Sequence, residues 1–296
     1  MLPLDKDLQQ PKSSILDFEK IAIRVLDYLP NVLSESEEKN GYTIHSSVIA
    51  GTKKYVRPIN QRLFIYSSTD FKRKFSEFLK LNSKLKIRNS SWDESEKTLI
   101  DSVLYTIQQA IGAGFDLLVN PNSARKHVGN RFEELIKAIF TEMGIANKKT
   151  VLQIPYKTDE GEKIYKCEND LILSPFSKVK STSRHLDENE IVVSVKTTTK
   201  DRIGKMFIDK ILLERFVKHG QKVIGIFLND VQRKENNNIS FTLVSGLFMV
   251  YSSFLTELEG IYYLDPPPIA LKPSFQKYMK PFSELVTNDI WRLLAS

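Results

Sequence analysis

The run Ile191-Val192-Val193-Ser194-Val195-Lys196 constrains this chain more than any other. It is nearly all apolar before the lysine, which predicts a strand covered on both faces and central in a sheet. A lysine at the end of such a strand needs a partner or a task. Asp170, 26 residues earlier, opens a second apolar strand, Asp170-Leu171-Ile172-Leu173, and supplies a plausible neighbour. A plain buried Asp–Lys ion pair without function is the competing reading.

A third piece lies upstream. Residues from about 128 to 142 carry Phe132, Leu135, Ile136, Ile139 and Phe140 at helical spacing. Glu133 borders that apolar face and is placed to point inward, whereas Glu134 is expected to face water. The competing reading is two solvated helix acids. An acid on a helix, an acid on a strand and a lysine on the next strand form the working parts of a magnesium-dependent nuclease. Carboxylates hold a hard cation through oxygen. The cation polarises a phosphate and activates water. A nearby ammonium orients that water or stabilises developing charge.

In order, the chain predicts a helix over 13–29 that stops at Pro30, an acidic loop over 34–40, extended pieces within 42–67 and a helix over 69–82. Ser91 and Glu94 fit a capping box for a helix running to about Ile111, with Gly112 and Gly114 weakening its end. A turn is expected at Asn120–Ser123. Strands are expected at about 150–156, 162–167 and 169–174, a polar loop at 175–189, a strand at 190–197, a helix at 204–219 and a buried strand at 223–228. Residues 239–250 read as strand, 251–259 as a short helix and 274–294 as helical. Strands interleaved with helices indicate an α/β class: a mixed central sheet flanked by helices, with a mostly helical N-terminal region. The expected division is a basic, DNA-clamping region over 1–92 and a catalytic domain over 93–296.

Charge distribution supports a polyanionic partner. The net charge is +7, but residues 53–90 hold 11 bases and 2 acids, and residues 196–222 hold 8 bases and 3 acids. Two separated basic segments suit a phosphate-lined groove, although such runs also solvate surface helices. The single cysteine, Cys167, excludes an intramolecular disulfide and any multi-cysteine zinc site. No apolar run approaches bilayer length and the N-terminus carries no secretory pattern, so a cytoplasmic location is expected. The four histidines share no metal-ligand spacing, and no glycine-rich phosphate loop is present.

These residues resemble the PD-(D/E)xK nuclease superfamily and, within it, type II restriction endonucleases. That family carries acid-x-lysine on the second strand; here Ser194-Val195-Lys196 lacks the acid. The branch of CCGG and CCNGG cutters typified by NgoMIV, SsoII and EcoRII has the same Ser-x-Lys. It draws the missing acid from a following helix, about thirteen or fourteen residues on. Asp209 stands there, where the branch usually has Glu, and Glu214 is the fallback. The branch's Gly-Asn-x-Phe-Glu helix matches Gly129, Asn130, Phe132 and Glu133, while Asn169 replaces the family's proline before Asp170. The match covers about 90 residues, 128–215.

The resemblance implies Mg²⁺-dependent cleavage of double-stranded DNA, with Asp170, Asp209 and Glu133 holding the metal and Lys196 orienting the water. Lys200, Asp201 and Arg202 occupy the branch's base-reading segment. Their charges suit guanine O6/N7 and cytosine N4. Capping of the next helix by Asp201 is the simpler alternative. A homodimer, or a tetramer of paired dimers, is expected for a palindromic site. Two other tasks remain compatible: a repair or junction nuclease reading DNA shape, and a non-catalytic DNA-binding module with a degenerate core.

Overall fold

A computed structural model of the chain describes residues 2–49, 51–200 and 202–295. The N-terminal region starts with α1 (Leu4–Gln9) and α2 (Ile15–Val32). Ser14 and Asp17 close a capping box at the start of α2. The helix runs through Pro30 rather than stopping there. Pro30 is exposed and in the last turn, where little helix remains for its missing N–H to disrupt.

The acidic segment expected as a loop is a strand, β1 (Glu35–Lys39). It pairs antiparallel with β2 (Tyr42–Ile49), which also pairs with β3 (Thr52–Tyr55) and β4 (Ile59–Asn60). Gly41, at a φ of 82°, turns β1 into β2. The helices α3 (Ser68–Lys80) and α4 (Asn82–Leu85) follow.

Helix α5 (Glu94–Leu118) is capped by Asp93 and Glu96, two residues beyond the expected pair. It does not fray at its glycines. A Cβ at Gly112 would collide with the Arg57 guanidinium, which bonds Asp116 through two nitrogens, each at 2.8 Å. Part of the 53–90 basic excess is therefore structural: Arg57 serves Asp116, and Lys84 pairs with Glu96 at 2.5 Å. The expected turn at Asn120 is instead the N-cap of α6 (Pro121–Glu142), with Pro121 in the first turn.

The central sheet has six strands in the order β12-β11-β8-β7-β6-β5. A long hairpin, β5 (Ala146–Thr158) and β6 (Gly161–Ser174), forms one side. β6 runs antiparallel to β7 (Ile191–Thr198). After α7 (Arg202–Val217), β8 (Lys222–Asn229) returns parallel to β7. A small hairpin, β9 (Val231–Arg233) with β10 (Ile239–Phe241), precedes α8 (Ser245–Phe254). Residues 245–250, expected as strand, belong to α8; their apolar run is too short for periodicity to separate strand from buried helix. β11 (Gly260–Tyr263) and β12 (Met279–Pro281) complete the sheet, and a helical run over 282–295 closes the chain.

Alternation along the strands divides the sheet's two faces. Val193, Val195, Ile224 and Ile226 face α6 and share one core with α2, α5 and the C-terminal helix. Val192, Val223, Phe227 and Ile261 pack against α7 and α8. The result is a mixed sheet between helical layers, with β7 inside it as its sequence predicts. Side chains from 1–92 such as Phe18, Phe71 and Phe75 join the same core as Ile107 and Phe132. Among the described residues, no helix is long and apolar enough to cross a membrane.

Candidate active site

The two acids and the lysine singled out in the sequence meet where β6 and β7 separate. The cause is a bulge. Lys148 of β5 faces Ile172, but Thr150 faces Asn169, so Asp170 and Leu171 together oppose one residue, Lys149. A bulge of this kind re-aims side chains and bends the strand. β6 pairs with β7 only from Leu171 to Leu173. Asp170 therefore stands at the point where the ladder ends.

Its carboxylate is held from β7. Oδ2 accepts the Val195 N–H at 2.9 Å and a short bond from the Lys196 ammonium. Glu133 arrives from α6, anchored by Phe132, Leu135 and Ile136 in the core on either side of it. Its Oε1 lies 3.9 Å from Lys196 Nζ, and its Oε2 accepts from Lys149 Nζ at 3.2 Å. Burial and the nearby Asp170 charge hold the Glu133 carboxyl above the usual carboxylate range, and the two lysines offset this only in part.

Glu134, expected to face water more than Glu133 does, is half-buried to the same degree. It accepts from Arg131, whose side chain is buried, at 2.6 Å and from the Lys12 N–H at 2.8 Å. It ties the N-terminal segment to α6. This long-range partnership leaves no mark in helical spacing.

A cleft of about 280 Å³ opens beside Asp170 and Lys196. Asp209, Met206 and Arg202 line it from α7, and Ser194 lines it from β7. Asp209 is paired with Lys205, one turn earlier, with Nζ 2.6 Å from Oδ1. That partner keeps Lys205 charged to higher pH than usual despite partial burial. Glu168 also lines the cleft. Sequence reasoning missed it, although Glu168 and Asp170 are two apart on one strand, the spacing that shares a face. Asn169 between them is buried, and its Nδ2 has no hydrogen-bond partner. Glu214, the fallback acid, lies elsewhere: it accepts the Gln221 N–H at 3.2 Å and lines a groove with His219 and Phe254.

The acids lining the cleft, Glu168, Asp170 and Asp209, offer carboxylate oxygens, donors that suit a hard cation. Among the described residues, no three His, Cys, Asp or Glu side chains are placed together so as to hold a metal ion. Larger open grooves exist, such as one of about 690 Å³ at the end of α7, but they bring together no pair of acids around a lysine.

The segment after β7 is fixed from beneath. Thr199 is fully buried and donates through Oγ1 to Asp230, itself fully buried. Thr242 Oγ1 also donates to Asp230 and accepts the Lys200 N–H at 3.0 Å, while the Leu243 N–H reaches Asp230 Oδ2 at 3.0 Å. The Thr199 carbonyl accepts the Arg202 N–H at 2.7 Å, so α7 begins there rather than at Gly204. Lys200 and Arg202 are exposed, and Arg202 borders the cleft. Asp201 lies outside the described residues.

No protein-family profile and no curated protein matches the chain. Among solved structures it resembles the type IIP restriction endonuclease Kpn2I, with a TM-score of 0.70 and 20% identity over 95% of this chain and 91% of that one. A looser likeness, TM-score 0.45 at 14% identity, relates 76% of the chain to 93% of the restriction endonuclease PspGI in complex with substrate DNA. At such identities the likeness to Kpn2I speaks for architecture, and by architecture this chain has a restriction-endonuclease-like fold.

Proposed function

We propose that this protein is a type II restriction endonuclease of PD-(D/E)xK type that hydrolyses phosphodiester bonds in double-stranded DNA with Mg²⁺, at a short site containing G·C pairs. The observation that carries the reading is Lys196 held between Asp170 and Glu133 at the mouth of a cleft where the sheet opens. Lys97 and Lys210 also pair with two acids each; Lys196 differs in opening onto a cleft that a phosphate can reach.

Asp170, joined by Asp209 or by Glu133, would hold Mg²⁺ together with substrate phosphate oxygens, and the ion would supply a Lewis acid for the phosphate and a more acidic water. The chain's own parts do the rest. The Val195 N–H fixes the Asp170 carboxylate. The Lys196 ammonium orients the attacking water and offsets the negative charge on the phosphoryl oxygens. Arg202, at the cleft's edge, offers a further cation for the phosphate backbone. Lys200, Asp201 and Arg202 would read base edges in the major groove. The Asp209 position is the one used by the NgoMIV, SsoII and EcoRII branch. A homodimer would match a palindromic site.

The test is a digest of long duplex DNA of known sequence with Mg²⁺, using wild type beside Lys196→Ala and Asp170→Ala. The expected result is discrete fragments from wild type and none from the variants. A smear lost in both variants would replace site-specific cutting with a structure-reading nuclease. Intact DNA in every lane, with duplex binding retained, would replace the enzyme with a binding module.

A further inference from the structure

Asp230 stands between β8 and β9 and is fully buried. Its side chain accepts from the hydroxyls of Thr199 and Thr242 and from the Leu243 N–H. None of these three partners is a cation, although a buried acid is costly and is ordinarily offset by one. All three belong to connections, 199–201 and 242–244, rather than to the interior of a helix or strand. Connections are the parts of a fold normally left to water. Here two of them are pinned to one buried carboxylate.

We infer that Asp230, acting through Thr242 and Thr199, is the positioning residue that sets base preference at the proposed DNA site. A carboxylate only accepts, so it fixes which way each hydroxyl points. Thr242 has one hydroxyl hydrogen and gives it to Asp230. Its oxygen is left to accept, and it takes the Lys200 N–H at 3.0 Å. Thr199 gives its hydrogen to the same carboxylate oxygen, Oδ1. That pins Thr199, whose carbonyl accepts the Arg202 and Ile203 N–H groups at 2.7 and 3.2 Å and so starts α7. One buried acid thus places two exposed cations, Lys200 just past β7 and Arg202 at the edge of the cleft.

The inference deepens the nuclease reading and rests on it for its ligand, duplex DNA. Attraction to phosphate tolerates a small shift of a cation, but a hydrogen bond to a base edge depends on distance and angle. Loosening the backbone under Lys200 and Arg202 therefore costs discrimination between sequences and leaves general affinity for DNA in place.

The test is binding of the full-length chain to duplex DNA with Ca²⁺ in place of Mg²⁺, so that no strand is cut. Wild type first selects its preferred site from a randomised duplex pool. It is expected to bind that site at least ~10-fold more tightly than the same site with one base pair changed. Thr242→Val keeps the side chain's shape without its hydroxyl. It is expected to cut the preference to about threefold or less at the base pair that Lys200→Ala also loses, with affinity for unrelated duplex unchanged. Thr242→Ser restores the hydroxyl and is expected to keep the wild-type preference. Asp230→Asn is expected to act as Thr242→Val does; should it misfold, the two Thr242 variants decide. A folded Thr242→Val with wild-type preference, equal losses in the Val and Ser variants, or a wild type with no preferred site overturns the inference. The readout is independent of cleavage. A wild type that binds a preferred site but never cuts it with Mg²⁺ refutes the nuclease reading alone, and a Thr242→Val that cuts with wild-type fidelity refutes the inference alone.

Discussion

Two clusters of charge on the same sheet are built to opposite rules. Around Asp289 one acid has three donors: Lys280 Nζ at 2.7 Å, Tyr262 Oη at 2.8 Å and Arg292 at 3.2 Å. Burial disfavours its charge, but the donors win and its carboxyl sits below the usual range. Around Lys196 one ammonium serves two acids, and Glu133 sits above the usual range. The first cluster is saturated with donors and closed. The second leaves Glu133 poorly satisfied even with Lys149 and Lys196 beside it, and it opens onto a cleft.

The comparison is broken or sharpened by four measurements. Lys196→Met is expected to lower single-turnover cleavage by about 10³-fold, since a positioned ammonium is typically worth 10²–10⁴. Its melting temperature should change less than that of Asp289→Ala. A large loss of stability with normal cleavage would make Lys196 as structural as Asp289. Next, Asp289→Ala is expected to cost about 3 kcal/mol in denaturant unfolding, because it strands Lys280 and Tyr262. The folded fraction should cut DNA at the wild-type rate.

Asp209→Asn is expected to weaken Mg²⁺ binding, followed by calorimetry with uncleavable DNA, by about tenfold or more. Glu168→Gln is expected to do less. The reverse order would move the missing acid from α7 to β6.

Glu133→Gln should produce the smallest change, a gain in melting temperature of a few degrees at pH 8. The folded carboxyl titrates above its unfolded value near 4.5, so at high pH the folded state carries a charge it disfavours. Below pH 4.5 both states are protonated and the gain disappears. A variant less stable than wild type at pH 8 would mean that Glu133 is satisfied in the manner of Asp289.

Much of the site is legible without coordinates. Asp170, Lys196 and Glu133 stand out because each is a charged residue bordering an apolar run, and charge there demands a partner. Glu168 escapes notice because nothing in its flanking residues distinguishes it from the solvated acids nearby. The clearest misreadings share one cause. Glu134 looks solvated until Arg131 and Lys12 arrive. Gly112 looks like a weakness until Arg57 lies against it. Residues 245–250 look like strand until Phe248 finds Phe207. In each case a residue distant in sequence sets the environment, and local periodicity carries no information about it.

The sequence by itself determined the α/β class, the central position of β7 and the side chains able to do chemistry, because these follow from local pattern and side-chain type. Only the tertiary structure decided which acids share Lys196 and where Lys200 and Arg202 are held. Those outcomes depend on the bulge at Asp170, on the rotation of α6 against the sheet and on Asp230 beneath the loop. Each is set by register and packing between segments far apart in the chain, where a one-residue shift changes which side chains meet.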